Sequence, residues 1–549
     1  MRCRWLLSWK PIDPVEAKGN ADAKKAKARL VVLGYLDPQL EEIPRDSPTM
    51  SKASRMMVLQ LIASKQWTLM SFDIKAAFLQ GQPQSSRVLG LEPVPELATA
   101  MKLQEDEICQ LVKGAYGLVD APYLWYKTLQ KELLSLGFRA SPFDPCVFLL
   151  FDEEKGNPKG ILGIHVDDGL CGGDEDFHRK LQQLESKYPF GAKKVGAFTF
   201  TGIDLQQHPD KSITMSQSKY IKGINPIPVS LDRRKDESSP ITEEERQQLR
   251  GLIGSLQFAS VHTRPDLASR LSNLQSQINS ATVETLLQGN RTLHEGKRHH
   301  DISITIQSID PKSIRFLAFS DASFASKKSP SSQSGSIILA THEMINRNVE
   351  CPISPISWGS KKIQKVVTST LAAETMSFSS SLDQLSWIRL YWHWLFCPND
   401  DWKHPVETLQ KIPSAIATAT YRSQNLPEAT MTTDCKSLYD LVTRTAPPNC
   451  QEFRTQLQTQ AIKEQLSEGV GVRWVHSGAQ LADSLTKIME SSFLRETLKL
   501  GRYKLNDELE VLKARATARN RVKWLKTTQD GPCSSQCMLC MAQNNLENL

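Results

Sequence analysis

Residues 161–173 read ILGIHVDDGLCGG. Ile161, Leu162, Ile164 and Val166 fit a largely buried strand, and Leu170-Cys171 opens another after the Asp-Asp-Gly break. The pattern predicts a β-hairpin with Asp167 and Asp168 at its tip. Adjacent carboxylates repel, and burying them costs on the order of several kcal/mol unless a cation compensates. Taken alone, the motif reads more simply as a solvated Asp-Gly turn.

Working outward, WTLMSFDIKAAFLQG (67–81) places Asp73 after a strand and before a short helical run. A single Asp there is ordinarily a helix cap. Together, one carboxylate ending a strand and a pair on a hairpin make the set that holds two Mg²⁺ ions for nucleotidyl transfer. Mg²⁺ takes hard oxygen ligands and keeps waters and substrate phosphates in its shell. Two ions about 3.5–4 Å apart activate an attacking oxygen and stabilise a leaving pyrophosphate.

The rest of the chain is long enough for several such units. Its 549 residues exceed one ordinary domain, and 40% hydrophobic with 23% charged residues excludes a wholly disordered protein. Lys+Arg 67 against Asp+Glu 60 gives +7, which tolerates a polyanionic partner without demanding one. No apolar run approaches a membrane span, the opening MRCRWLLSWK lacks a signal-peptide core, and eleven scattered cysteines do not suggest a secreted disulfide framework. The expectation is a reduced, intracellular and cytoplasmic protein, with a virus-like particle or the nucleus as alternatives.

Strand-like RLVVLG, WTLMSFD, CVFLLF and GILGIHV alternate with helical stretches such as YLWYKTLQKELLSLGF. After the charged stretch 233–240 the pattern turns helical, and Thr242 with Glu245 is spaced as a capping box. A second mixed α/β region starts near Ser303 with SITIQS and RFLAFSD, read as two alternating strands. It carries four separated acids: Asp321, Glu374 on a long helical pattern, Asp434 at a strand-to-helix junction, and Asp483. Each alone reads as a surface or capping residue; together they match the ligand count of a two-metal nuclease.

In order, KARLVVLGY (27–35), FDIKAAFLQG (72–81), LVKGAYGLVDAPYLWY (111–126), HVDDGL (165–170), FTGIDL (200–205), GLIGSLQF (251–258) and HTRPDL (262–267) resemble the reverse transcriptase of copia-type retrotransposon pol polyproteins. SDASFAS, SGSIILA, ISWGSKK, STLAAET, TDCKSL and LADSLTK resemble the ribonuclease H that follows it. The resemblance implies a multidomain α/β (α+β) fold. It comprises fingers and an antiparallel palm over 1–232, a helical thumb or connection over 241–300, a mixed five-stranded nuclease sheet with flanking helices over 303–490, and a basic, Cys-containing tail over 491–549.

It implies Asp73, Asp167 and Asp168 as polymerase metal ligands, and Asp321, Glu374, Asp434 and Asp483 as nuclease ligands. Each site would hold two Mg²⁺, with Mn²⁺ as a substitute. Around the nucleotide it implies Lys27, Arg29, the Ile74 backbone, Phe78 as the gate against a ribose 2′-hydroxyl, Tyr116 and Gly117. On spacing alone Phe78 reads equally as core, Lys27 and Arg29 as a solvated strand face, and Gly117 as an ordinary turn residue. Implied partners are an RNA template, a DNA or tRNA primer, deoxynucleoside triphosphates and the RNA–DNA hybrid, with no membrane; oligomeric state is not legible.

The family usually carries Tyr where this chain has His165. Strand alternation puts His165 on the face of Asp167, and an unperturbed imidazole titrates near pH 6.5. His476, seven residues before Asp483, reads chiefly as a strand-end residue, with product departure as its other reading. Cys533, Cys537 and Cys540 have metal-like spacing without a fourth ligand and read as tail thiols. Opening directly at finger-like sequence, the chain is expected to be a C-terminal pol fragment or the product of a truncated copy. The alternative reading is a non-catalytic nucleic-acid-binding remnant.

Overall fold

The computed structural model describes residues 1–11, 24–44, 46–82, 87–325, 331–400, 427–467, 469–488 and 491–506. The basic run and cysteines of the tail lie outside the described residues. An antiparallel pair, β1 (Cys3–Pro11) and β2 (Lys24–Val32), sets Arg29 opposite Leu6 and Lys27 opposite Ser8. Helix α1 (Lys52–Ser64) starts at Ser51, whose side chain accepts from the Ser54 N–H. It is buried from Ser54 onward because it packs against strands of three different sheets.

The first large sheet uses β3 (Met70–Ile74), β4 (Arg139–Ala140), β5 (Val147–Asp152), β6 (Asn157–His165), β7 (Asp168–Gly173) and β8 (Phe190–Val195), in the order β8-β3-β7-β6-β5-β4. Every neighbouring pair is antiparallel. Helices α2 (Ala121–Ser135) and α3 (Glu175–Lys187) cover one face, burying Trp125, Leu129, Phe177 and Leu184 against Phe72, Phe148 and Leu162. On the other face α1 meets Leu149, Ile161 and Leu170. Two covered faces explain why ILGI runs apolar without a break.

A four-stranded antiparallel sheet follows, from β9 (Ala197–Phe200), β10 (Ile203–Gln207), β11 (Ile213–Ser216) and β12 (Ile304–Ile306). Three helices, α4 (Glu243–His262), α5 (Ala268–Gln277) and α6 (Val283–Arg298), lie between its last two strands in sequence and pack on one another. The Thr242–Glu245 capping box is formed. The HTRPDL segment supplies a fully buried fork, Arg264 Nε to Asp266 Oδ1 at 2.8 Å and Nη2 to Oδ2 at 2.7 Å. Removing either partner would strand a buried charge, at about 3–5 kcal/mol.

The second large sheet has β13 (Ile314–Ser323), β14 (Gln333–His342), β15 (Cys351–Lys362), β16 (Ala429–Thr433), β17 (Val470–Trp474) and a two-residue edge strand β18 (Arg502–Tyr503). Its order is β17-β16-β13-β14-β15-β18. β13, β14 and β15 run antiparallel, while β16 and β17 run parallel to β13. The long helix α7 (Thr370–Trp394) packs on β13. The sheet is mixed, as expected, with β18 added at its edge.

Two readings change. SITIQS does not open the second sheet: β12 pairs with β11, and the second sheet begins at Ile314. RFLAFSD is not half-exposed either, because β13 is a central strand buried from Ile314 to Ala322. One continuous apolar core joins α1, the four-stranded sheet and the second sheet through residues such as Leu61, Ile203, Ile304, Leu317 and Leu385. No described helix is long and apolar enough to cross a membrane.

Candidate functional sites

β3 and β7 are in register so that Asp73 stands directly opposite Asp168. β6 and β7 pair His165 with Asp168, leaving Val166 and Asp167 as a two-residue turn. Asp167 is therefore at the tip, whereas Asp168 already belongs to a strand. Val166 adopts φ +64°, a left-handed conformation that a β-branched residue resists. Trp125 Nε1–H donates to the Val166 carbonyl at 2.9 Å, and the Ile74 N–H donates to the Asp167 carbonyl at 2.9 Å. The tip is thus tied to both α2 and β3.

The Asp73 carboxylate accepts the Ala192 N–H at 2.6 Å, where β8 breaks register between Phe190 and Lys193. A Cβ at Gly191 would collide with that carboxylate as it stands, so glycine there lets Asp73 reach the β8 backbone. Burial, reinforced by Asp167 and Asp73, pushes Asp168 up to about 6. Burial also raises Asp167; its neighbour Asp73 adds to this, while His165 and Arg29 act in the opposite direction. Charge repulsion of this kind is what a bound cation relieves.

Arg29 lies 5.8 Å from the Tyr116 ring centroid, and Tyr116 meets Phe78 edge-on at 5.7 Å. Lys27, two residues along β2 from Arg29, is half-buried like it. Val32 N–H donates to the Tyr116 carbonyl at 2.7 Å. Gly117, at φ +90°, approaches the Val32 carbonyl so closely that a Cβ would overlap it. The structure therefore brings Arg29, Tyr116 and Phe78 into one row. Phe78 is half-buried and touches the apolar clusters on both sides of it. The Ile74 side chain is buried.

His165 departs from the alternation argument, because the turn at Val166 interrupts the strand before Asp167. Burial, then the Arg55 charge, lowers its pKa below 6.5, against the opposing pull of Asp167. The expected titration through pH 6–7 is thereby displaced toward acid.

In the second sheet, Asp321 is on β13, Glu374 on α7, Asp434 just after β16, and Asp483 at the start of α9 (Asp483–Thr486). Carboxylate oxygens of Asp321, Asp434 and Asp483 all lie within 4.8 Å of one another. Glu374 stands outside that trio yet feels Asp321 and Asp434: burial first, and then those two charges, push it up to about 9. Asp321 is pushed up to about 7, mainly by burial, with Lys487 opposing and Asp483 and Asp434 adding. The Thr486 hydroxyl donates to Asp321, Lys487 donates to Asp483, and Lys487 Nζ is 3.7 Å from Asp321. Trp474 Nε1–H fixes the Asp434 carbonyl at 3.0 Å.

Three acids brought together from separate elements, with the buried Asp321 raised and Lys487 the one adjacent ammonium among the described residues, are a donor set suited to hard divalent cations. Asp73, Asp167 and Asp168 do not form so tight a group among the described residues, Asp73 being turned toward Ala192. His476 Nδ1 accepts the Gly478 N–H at 3.0 Å and caps a short turn. A further trio, His393, Cys397 and Asp400, meets at the end of α7, where His393 Nε2 and Asp400 are 2.9 Å apart. Trp125, Gly191 and Lys487 escaped the sequence reading although the first and last lie in quoted motifs.

The fold and these sites define a multidomain α/β protein whose first region matches the reverse transcriptase (RNA-dependent DNA polymerase) family over residues 11–226. That region is similar to the reverse transcriptase carried by copia-type Pol polyproteins. The chain is 28% identical over 406 residues to the retrovirus-related Pol polyprotein from transposon RE1 of Arabidopsis thaliana, covering 70% of this chain and 25% of that one. It is 30% identical over 291 residues to the corresponding protein from transposon TNT 1-94 of Nicotiana tabacum, covering 49% and 21%. The chain thus spans about a quarter of the length of the curated relatives it matches. A solved foamy viral protease–reverse transcriptase in complex with double-stranded DNA aligns over 82% of this chain and 63% of that one, with TM-score 0.46 and 10% identity.

Proposed function

We propose that the chain is an RNA-directed DNA polymerase with a fused ribonuclease H, dividing into fingers and palm, a thumb formed by α4–α6, and a nuclease unit built on the second sheet. The observation that carries the reading is the segregation of carboxylates into two sets, Asp73/Asp167/Asp168 at the first sheet and Asp321/Asp434/Asp483 gathered at the second, with Glu374 near them on α7. A primer–template and deoxynucleoside triphosphates serve the first set; the RNA strand of the hybrid serves the second.

At the first set, Asp167 and Asp168 would hold Mg²⁺ together with Asp73, after its carboxylate leaves Ala192. At the second, Asp321, Asp434 and Asp483 would hold it, with Glu374 beside them. Bound there, Mg²⁺ supplies Lewis-acid activation of the attacking oxygen and stabilises the leaving one. Arg29 faces the region of Asp167 and offers a cation to an incoming triphosphate, while Lys27 continues the same strand face. Tyr116 and Phe78 wall the sugar position, Phe78 excluding a 2′-hydroxyl by bulk. Gly117 keeps the turn close to β2. Lys487 holds Asp321 and Asp483 in place.

Primer extension by the purified chain on poly(rA)/oligo(dT) with Mg²⁺ and dTTP tests the reading. Extension supports it; duplex binding without extension, across varied metal and salt, supports a non-catalytic remnant instead.

A further inference from the structure

Four basic side chains converge where α1, α4 and β15 meet. Arg55, in the first turn of α1, is only 6% exposed. Its Nη2 lies 2.6 Å from His262 Nδ1, its Nη1 donates to the Thr201 hydroxyl at 3.4 Å, and its Nε has no partner among the described residues. One turn earlier, Lys52 Nζ stands 3.4 Å from the Trp358 ring centroid. The Trp358 indole N–H is committed to the Ser260 carbonyl at 2.9 Å, which fixes the ring.

Burial first, and then Arg55 and Lys361, both of its own sign, push Lys52 well below the usual lysine range. Burial lowers Arg55 to about 10 with no carboxylate acting on it among the described residues. His262 faces Arg55 and Lys52 and is pushed down to about 3, burial being the larger cause; it is neutral and accepts from Arg55. Gathering cations without a counter-charge costs free energy that an anion would recover. The edge of the cluster reaches solvent, since Lys361 is exposed and Lys52 half-buried. At one end Arg55 acts on His165, two residues before Asp167; at the other, Trp358 and Lys361 belong to the second sheet.

We propose that Lys52, Arg55 and Lys361 form an anion site that takes a backbone phosphodiester of the primer–template duplex as it runs from the first carboxylate set toward the second. The assignment rests on the polymerase reading above. His262 holds the guanidinium plane, and Trp358 holds the Lys52 ammonium. Such contacts are sequence-independent, so they position the duplex without selecting it.

Fluorescence anisotropy of a labelled RNA–DNA duplex, with full-length chain and no nucleotide, is measured from about 50 to 300 mM salt, where each phosphate contact adds about one to the salt slope. Lys52→Gln and Lys361→Gln are each expected to weaken binding several-fold and to reduce that slope by about one contact; Arg55→Lys should retain most of it. Thermal midpoints run alongside separate loss of fold from loss of contact. An unchanged slope in a folded Lys52→Gln variant overturns the site and leaves Lys52 as interdomain packing on Trp358. An unchanged slope with a raised KM for dTTP also overturns it, assigning the cations to the triphosphate. Wild-type chain that binds no duplex at all overturns the polymerase reading itself.

Discussion

The Trp125 indole N–H donates to the Val166 carbonyl at 2.9 Å, tying helix α2 to the left-handed residue of the turn that carries Asp167. A left-handed Val costs about 1–2 kcal/mol, and one hydrogen bond returns about 1 kcal/mol. The turn is held by its surroundings rather than by its own preference.

Trp125→Phe keeps an aromatic ring but removes the donor along with the pyrrole half of the indole. Stability is expected to fall by about 1 kcal/mol and polymerisation to drop, while RNA cleavage persists. Adding Val166→Gly should recover stability, because glycine adopts the turn without strain. Equilibrium denaturation of the single and double variants checks this; a double variant no more stable than Trp125→Phe would mean that the turn stores no strain.

Phe78 touches apolar clusters on two sides, yet its edge contact with Tyr116 places it in the row that begins at Arg29. Phe78→Ala is expected to admit ribonucleotides, and Phe78→Tyr to retain discrimination. Relative incorporation of rNTP and dNTP measures it. A folded, active Ala variant with unchanged selectivity would make Phe78 a core residue only.

Asp321 and Glu374, pushed up to about 7 and about 9, hold protons in the folded chain that the unfolded chain releases near pH 4. Their contribution to stability is full below about pH 4 and is lost as pH rises through about 7 and then about 9. In chelator, the thermal midpoint of the chain should therefore fall between pH 5 and 9, and Mg²⁺ should restore it. Asp321→Asn should flatten that dependence; a midpoint equally steep in wild type and variant would contradict the assignment.

His165 is neutral over a wider range than a free imidazole, since burial and Arg55 lower its pKa. Polymerisation at saturating Mg²⁺ should weaken more in wild type than in His165→Tyr only below pH 6.5. Superimposable pH–rate profiles, with equal primer affinity, would show the histidine to be a tolerated replacement.

The hairpin that carries Asp167 and the strand that carries Asp73 are legible as apolar runs because both faces of the first sheet are covered. The partners of the acids are not. Gly191 matters only because β8 breaks register beside Asp73, and Lys487 only because α9 folds back onto β13; neither contact leaves a local pattern. SITIQS misled for a related reason, since pairing across some ninety residues decides which sheet β12 joins.

Two separate carboxylate sets on one chain are the central claim, and one assay reads both. Purified wild type, Asp167→Asn and Glu374→Gln are each incubated with poly(rA)/oligo(dT), Mg²⁺ and dTTP, with DNA extension and RNA cleavage followed together. Asp167→Asn should abolish extension and leave cleavage; Glu374→Gln should do the reverse. Loss of both activities in either folded variant would contradict the two-site account.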